Sequence, residues 1–67
     1  MRIALNGETR DLAGAVADIA QLIETLGVPR ETALVEHNGL ALRRDEWTSH
    51  TLADGDRVEI IRIVAGG

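Results

Sequence analysis

Two Asn-Gly pairs, Asn6-Gly7 and Asn38-Gly39, each stand between short runs of apolar residues. Both positions of such a pair tolerate positive φ, which a two-residue type I′ hairpin turn requires. The first pair predicts a hairpin from "RIAL" (2–5) into "ETRDL" (8–12), with Thr9 and Leu12 facing inward. The second predicts a hairpin within "TALVEHNGLALRR" (32–44), with Leu34 and Val35 on one strand and Leu40 and Leu42 on the other. Between the two the period changes. Val16, Ile19, Ala20, Ile23 and Leu26 recur at i, i+3, i+4, i+7 and i+10, one face of an α-helix over about 15–26. Asp18 lies near its positive end, Gly27 supplies a left-handed stop, and Pro29 forbids continuation.

The remaining third of the chain starts with Asp45-Glu46-Trp47, a single helical turn capped by Asp45, in which Trp47 plugs the core as the only aromatic residue. Asp54-Gly55-Asp56 forms a turn into a last strand over 57–64. The order is strand, strand, helix, strand, short strand, strand, an α+β layer arrangement with the helix across one face of a mixed sheet of four to five strands. First and last strands side by side and parallel in the middle give the ubiquitin-like β-grasp. A ferredoxin-like split βαβ needs a second full helix, and only one is on offer.

One domain, 1–67, accounts for a chain of this length, and its core is thin, with roughly 60% of the unfolded surface buried. Without cysteine there is no disulfide framework, thiolate nucleophile or usual zinc site, so packing alone must hold the fold, and a reducing, cytoplasmic setting is expected. No apolar run approaches the roughly 18 residues that span a bilayer, so no membrane partner is expected. Seven arginines and no lysine against eleven Asp and Glu give a net charge of −4. That sign opposes nucleic-acid binding and suits protein partners with basic docking surfaces.

In the last strand Val58 and Ile60 alternate with Arg57 and Glu59, giving one inward and one wet face. Ile61 and Ile63 then project from the far face toward a tail, 65–67, expected to be flexible. Exposed aliphatics in a row are a contact patch, so Ile61, Ile63 and Ala65 are candidate partner-docking residues. The alternatives are a covering loop or a dimer. Gly66 and Gly67 cannot serve packing, because glycine costs conformational entropy on ordering. Lacking Cβ atoms, they can pass extended through a narrow enzyme channel. The Gly67 carboxylate is unhindered, can attack the α-phosphate of ATP, and as an acyl adenylate can be captured by a sulfur nucleophile as a thiocarboxylate. Positioning and electrostatics would then come from the partner enzyme.

Other polar residues have plainer readings. His37 beside a turn and His50 in a polar loop lack metal-ligand spacing and read as surface residues. Asp54 and Asp56 read as turn formers, since a calcium loop distributes its ligands over about twelve residues. Ser49 and Thr51 near His50 have no triad acid, and Arg43-Arg44 reads as a solvated edge.

Taken together, "LNG" near the start, the single central helix and "RRDEWTSHTLADGDRVEIIRIVAGG" at the end resemble the ThiS family of sulfur carriers in thiamin thiazole biosynthesis. The distinctive pieces are Arg-x-x-Trp (Arg44 to Trp47), Asp-Gly-Asp (54–56) and the final Ala-Gly-Gly. Arg43 stands where the family usually has proline, which leaves the local turn less stiff. The resemblance implies no bound cofactor and no catalytic residue. It implies adenylation of Gly67 by a ThiF-like adenylyltransferase using ATP, with Gly66 as its slender neighbour. Sulfur derived from a cysteine desulfurase then forms the thiocarboxylate, which is delivered to a ThiG-like thiazole synthase. Sibling readings are a MoaD-like molybdopterin carrier, usually longer, and carriers for cysteine or siderophore sulfur. A non-conjugating TGS-type β-grasp module is the reading from another class.

Overall fold

A computed structural model describes residues 1–64. The expected flexible tail, 65–67, lies outside the described residues. Strands β1 (Arg2–Leu5) and β2 (Glu8–Asp11) form the first hairpin. Helix α1 spans Ile19–Leu26, and β3 (Ala33–His37) and β4 (Leu40–Leu42) form the second hairpin. A 3-10 helix, Arg44–Ser49, precedes β5 (Arg57–Arg62). Both hairpin turns place their asparagine at positive φ, Asn6 at 50° and Asn38 at 51°, as type I′ geometry requires. The sheet order is β2-β1-β5-β3-β4, with β1 and β5 parallel and every other neighbouring pair antiparallel. That is the expected β-grasp.

The core lies between α1 and one sheet face. Ile19, Leu22 and Ile23 of the helix meet Ile3, Leu5, Val35, Val58 and Ile60 of the sheet, all buried. Leu22 belongs to this stripe although the spacing argument passed it over, being three residues after Ile19. Trp47, 1% exposed, closes the core from the 3-10 helix, which packs against α1.

Four local expectations are corrected. The helix begins at Ile19, not near 15, because Asp18 is its N-cap: extended backbone at φ −142°, with its carboxylate accepting the Gln21 N–H at 2.8 Å. Gln21 in turn accepts the Ala17 N–H at 2.7 Å. This Asp-x-x-Gln reciprocity is close to a capping box, a readable signal of the true start. Thr9 is exposed, because it pairs with Ala4 on the sheet face away from the helix, opposite to the face of buried Ile3 and Leu5, while Leu12 does pack at the core margin. Asp45 does not cap the 3-10 helix; Glu46 does, reaching back to the Arg43 N–H at 2.7 Å, and Asp45 accepts from Arg43 Nε at 3.2 Å. His37 is no surface residue but is 9% exposed at the end of β3. At the other end of α1, Gly27 adopts φ 71°, and Val28 and Gly27 donate to the Ile23 and Glu24 carbonyls in a Schellman motif.

Candidate functional site

Strand β5 carries the candidate site, and the fold holds it from both sides. The β3 ladder runs from His37↔Val58 to Ala33↔Arg62 and continues past the strand in an Ile63 N–H to Thr32 carbonyl bond of 2.6 Å. On the other side β1 pairs only as far as Leu5↔Val58. There the Asn6 side chain takes over as a substitute peptide unit. Its Oδ1 accepts the Ile60 N–H at 2.7 Å and its Nδ2 donates to the Ile60 carbonyl at 3.2 Å. Asn38 works likewise at the start of the strand, accepting the Arg57 N–H at 2.8 Å and donating to Asp56 Oδ1 at 3.1 Å. Each Asn-Gly turn therefore pins the last strand as well as closing its own hairpin. The Asn-Gly signal located the turns without revealing this second task, because the partner lies far along the chain.

Asp56, read from sequence as a turn former, anchors a cluster at the same end. Its Oδ2 lies 2.7 Å from His37 Nε2 and also accepts the Ala53 N–H at 2.9 Å, while His37 Nδ1 lies 3.2 Å from His50 Nδ1. Asp54 serves its turn and accepts the Arg2 N–H at 2.7 Å. Partial burial pushes the Asp56 carboxyl up. The hydrogen bonds from His37, the Ala53 N–H and Asn38 outweigh it and hold the group below the ordinary carboxylate range. A carboxyl depressed in the folded state contributes stability above its unfolded pKa, and that contribution is lost as pH falls through the folded value. Urea midpoints should therefore drop from about pH 5 to about pH 3, and Asp56→Asn should make that decline shallower. An Asp56→Asn profile parallel to the parent's would remove Asp56 from the account.

Among the described residues no group of three or more His, Asp or Glu is placed to hold a metal ion. No described helix is long and apolar enough to cross a membrane. The chemistry-bearing feature that remains is the exit from β5. Val58 and Ile60 point into the core, whereas Ile61 is 58% exposed, Ile63 49% and Val64 84%. Leu34, directly across from Ile61 on β3, is 52% exposed, so the apolar row is two strands wide. Sequence reasoning missed Leu34 as part of this row because it cannot give the β3–β5 register. Ala65, Gly66 and Gly67, the other candidate residues, lie outside the described residues.

The comparisons agree on one family. The model described as "ThiS family" matches residues 3–67. The Escherichia coli K12 protein named "Sulfur carrier protein ThiS" is 28% identical over 67 residues, covering 100% of both chains. A Paramagnetospirillum magneticum protein named "Thiazole synthase" is also 28% identical over 67 residues, but the chain spans only 20% of its length. The crystal structure of a thiamine biosynthesis protein (ThiS) from Geobacter metallireducens superposes with a TM-score of 0.83 at 33% identity, covering 100% of both chains. The solution structure from the same organism gives the same score and identity over 88% of its chain. The chain belongs to the ThiS family, sulfur carriers of thiamin biosynthesis built on the ubiquitin-like β-grasp.

Proposed function

We propose that the Gly67 carboxyl group is the working group of this carrier, loaded with sulfur as a thiocarboxylate and spent on thiazole formation. The observation that carries the reading is the match with the E. coli sulfur carrier, 28% identical over the whole length of both sequences compared. A carboxylate oxygen of Gly67 attacks the α-phosphorus of ATP on a ThiF-like adenylyltransferase, and pyrophosphate leaves. The terminal sulfur of a persulfide charged by a cysteine desulfurase attacks the resulting acyl carbon, and AMP leaves with the carboxyl-derived oxygen. A thiol then reduces the acyl disulfide so formed, which releases the thiocarboxylate and leaves a disulfide between that thiol and the former persulfide carrier. The thiocarboxylate is then consumed by a ThiG-like thiazole synthase. The match inside a longer protein named "Thiazole synthase" supports a pairing of these two modules. The described residues act as a handle: β5, fixed on both sides, aims the tail, while Leu34, Ile61 and Ile63 offer an apolar surface for the enzyme that receives it. A reducing cytoplasmic setting, with no cofactor held by the carrier itself, completes the reading.

Incubation with ATP, sulfide and a ThiF-like adenylyltransferase should raise the intact mass by about 16 Da as one oxygen is replaced by sulfur. An unchanged mass, with the adenylyltransferase active on its own carrier, would count against the assignment.

A further inference from the structure

The register of β3 against β5 sets two glutamates directly across from each other. Glu36 and Glu59 are direct cross-strand partners, both exposed on the sheet face opposite the helix. Like charges directly opposite each other destabilise an antiparallel pair. Neither carboxylate has an ion-pair partner among the described residues. Arg57 precedes Glu59 by one same-face step, about 7 Å along the strand, and makes no ion pair with either. Arg2 and Asp11, on the same face of β1 and β2, are bonded to each other at 2.9 Å, and Arg43, just past β4, is bonded to Asp45 at 3.2 Å. One same-face step toward the tail from the two glutamates stands the apolar pair Leu34↔Ile61.

These four side chains rim a depression of about 160 Å³, and Ala41 of β4 also lines it. Ala41 is the cross-strand partner of Glu36, and its small side chain leaves the space open. A hollow with aliphatic walls on one side and two uncompensated carboxylates on the other matches one kind of side chain. Arginine lays an apolar stem along hydrocarbon and presents a planar fork of donors to carboxylate oxygens.

We infer that this hollow receives an arginine side chain of the activating enzyme, its stem against Leu34, Ile61 and Ala41 and its guanidinium between Glu36 and Glu59. This rests on the carrier reading above and adds what it leaves open, the chemistry of the partner's contact. The hollow adjoins the apolar row leading to the tail, so one partner can fill it while gripping the C-terminal residues. The uncompensated charge of the two glutamates is then neutralised only in the complex, which favours association with a basic partner over association between two acidic carriers.

The test uses the full chain and a ThiF-like adenylyltransferase with ATP and magnesium. Glu36→Gln/Glu59→Gln preserves shape and removes charge. It should weaken binding by calorimetry at least about tenfold and flatten its salt dependence. It should also raise the KM for the carrier in adenylation with little change in kcat. The free domain should be no less stable in urea, since a repulsion is removed. Ala41→Leu, which fills the hollow and leaves the carboxylates, should weaken binding as well. Unchanged affinity in both variants while the parent is loaded with sulfur would overturn the inference and leave the carrier reading intact. Weakening by Ile61→Asp alone would do the same and reduce the contact to the apolar row. Failure of the parent to load would overturn both.

Discussion

Trp47→Ala should cost about 3–5 kcal/mol, the usual toll for emptying a buried aromatic site. A 67-residue chain has a total stability of roughly 3–10 kcal/mol, so this one change is expected to leave much of the protein unfolded at 37 °C. The size of the effect follows from scarcity. Trp47 is the only aromatic residue and is 1% exposed, and no second large ring is available to collapse into the void. Its indole Nε1 is buried without a hydrogen-bond partner among the described residues, so the side chain contributes volume and no polar contact there. Trp47→Phe keeps most of that volume and removes the orphan donor, and should be tolerated far better. The Arg30 guanidinium lies 5.9 Å from the ring centroid, and Arg30→Ala should cost about 0.5–1 kcal/mol. Urea unfolding followed by far-ultraviolet circular dichroism ranks the three variants. A Trp47→Ala midpoint near the parent's would show that the 3-10 helix is dispensable to the core.

Appending one residue after Gly67 should abolish sulfur loading while leaving the fold of residues 1–64 unchanged. One extended residue carries the terminal carboxylate about 3.5 Å further. Misplacing a reacting group by about 1 Å already costs on the order of a hundredfold in rate. Deleting Gly67 shifts the group by the same distance in the opposite direction and makes Gly66 terminal, and it should fail too. Intact mass after incubation with the adenylyltransferase reads both variants, and a thermal melt confirms that the handle is intact. Efficient loading of the extended chain, without prior trimming, would show that the acyl group lies elsewhere.

Much of the architecture was legible because its signals are local. The Asn-Gly pairs fix two hairpins, and the alternation from Arg57 to Ile60 identifies the strand's inner face. At the helix start two local signals compete: the apolar period runs through Val16 and places Asp18 inside the helix, yet Val16 is buried from an irregular segment that precedes the cap. The remaining misses depend on partners outside the element concerned. His37 looked exposed because it adjoins a turn, whereas the Asp56 that covers it lies 19 residues away. Thr9 faces outward because the hairpin register sets it across from Ala4, which alternation within β2 alone does not reveal. Leu34 and the Glu36–Glu59 pair depend on β3–β5 register, which no single stretch of sequence encodes. The proposal for Gly67 rests on residue chemistry, on its place after the last strand and on the family match, because 65–67 lie outside the described residues.

The Asn6 clamp has a mechanical consequence. Under the proposed function, an enzyme that takes up the C-terminal residues pulls on β5 along its own length. Rungs on both flanks, from β1 and Asn6 on one side and from β3 on the other, meet that tension in shear and must slip together instead of peeling one by one. Were Asn6 replaced by alanine, one flank would come free at Ile60, and the strand could unzip from its outer end under tension. The turn asparagine thus doubles as a strain relief whenever the end of β5 comes under tension.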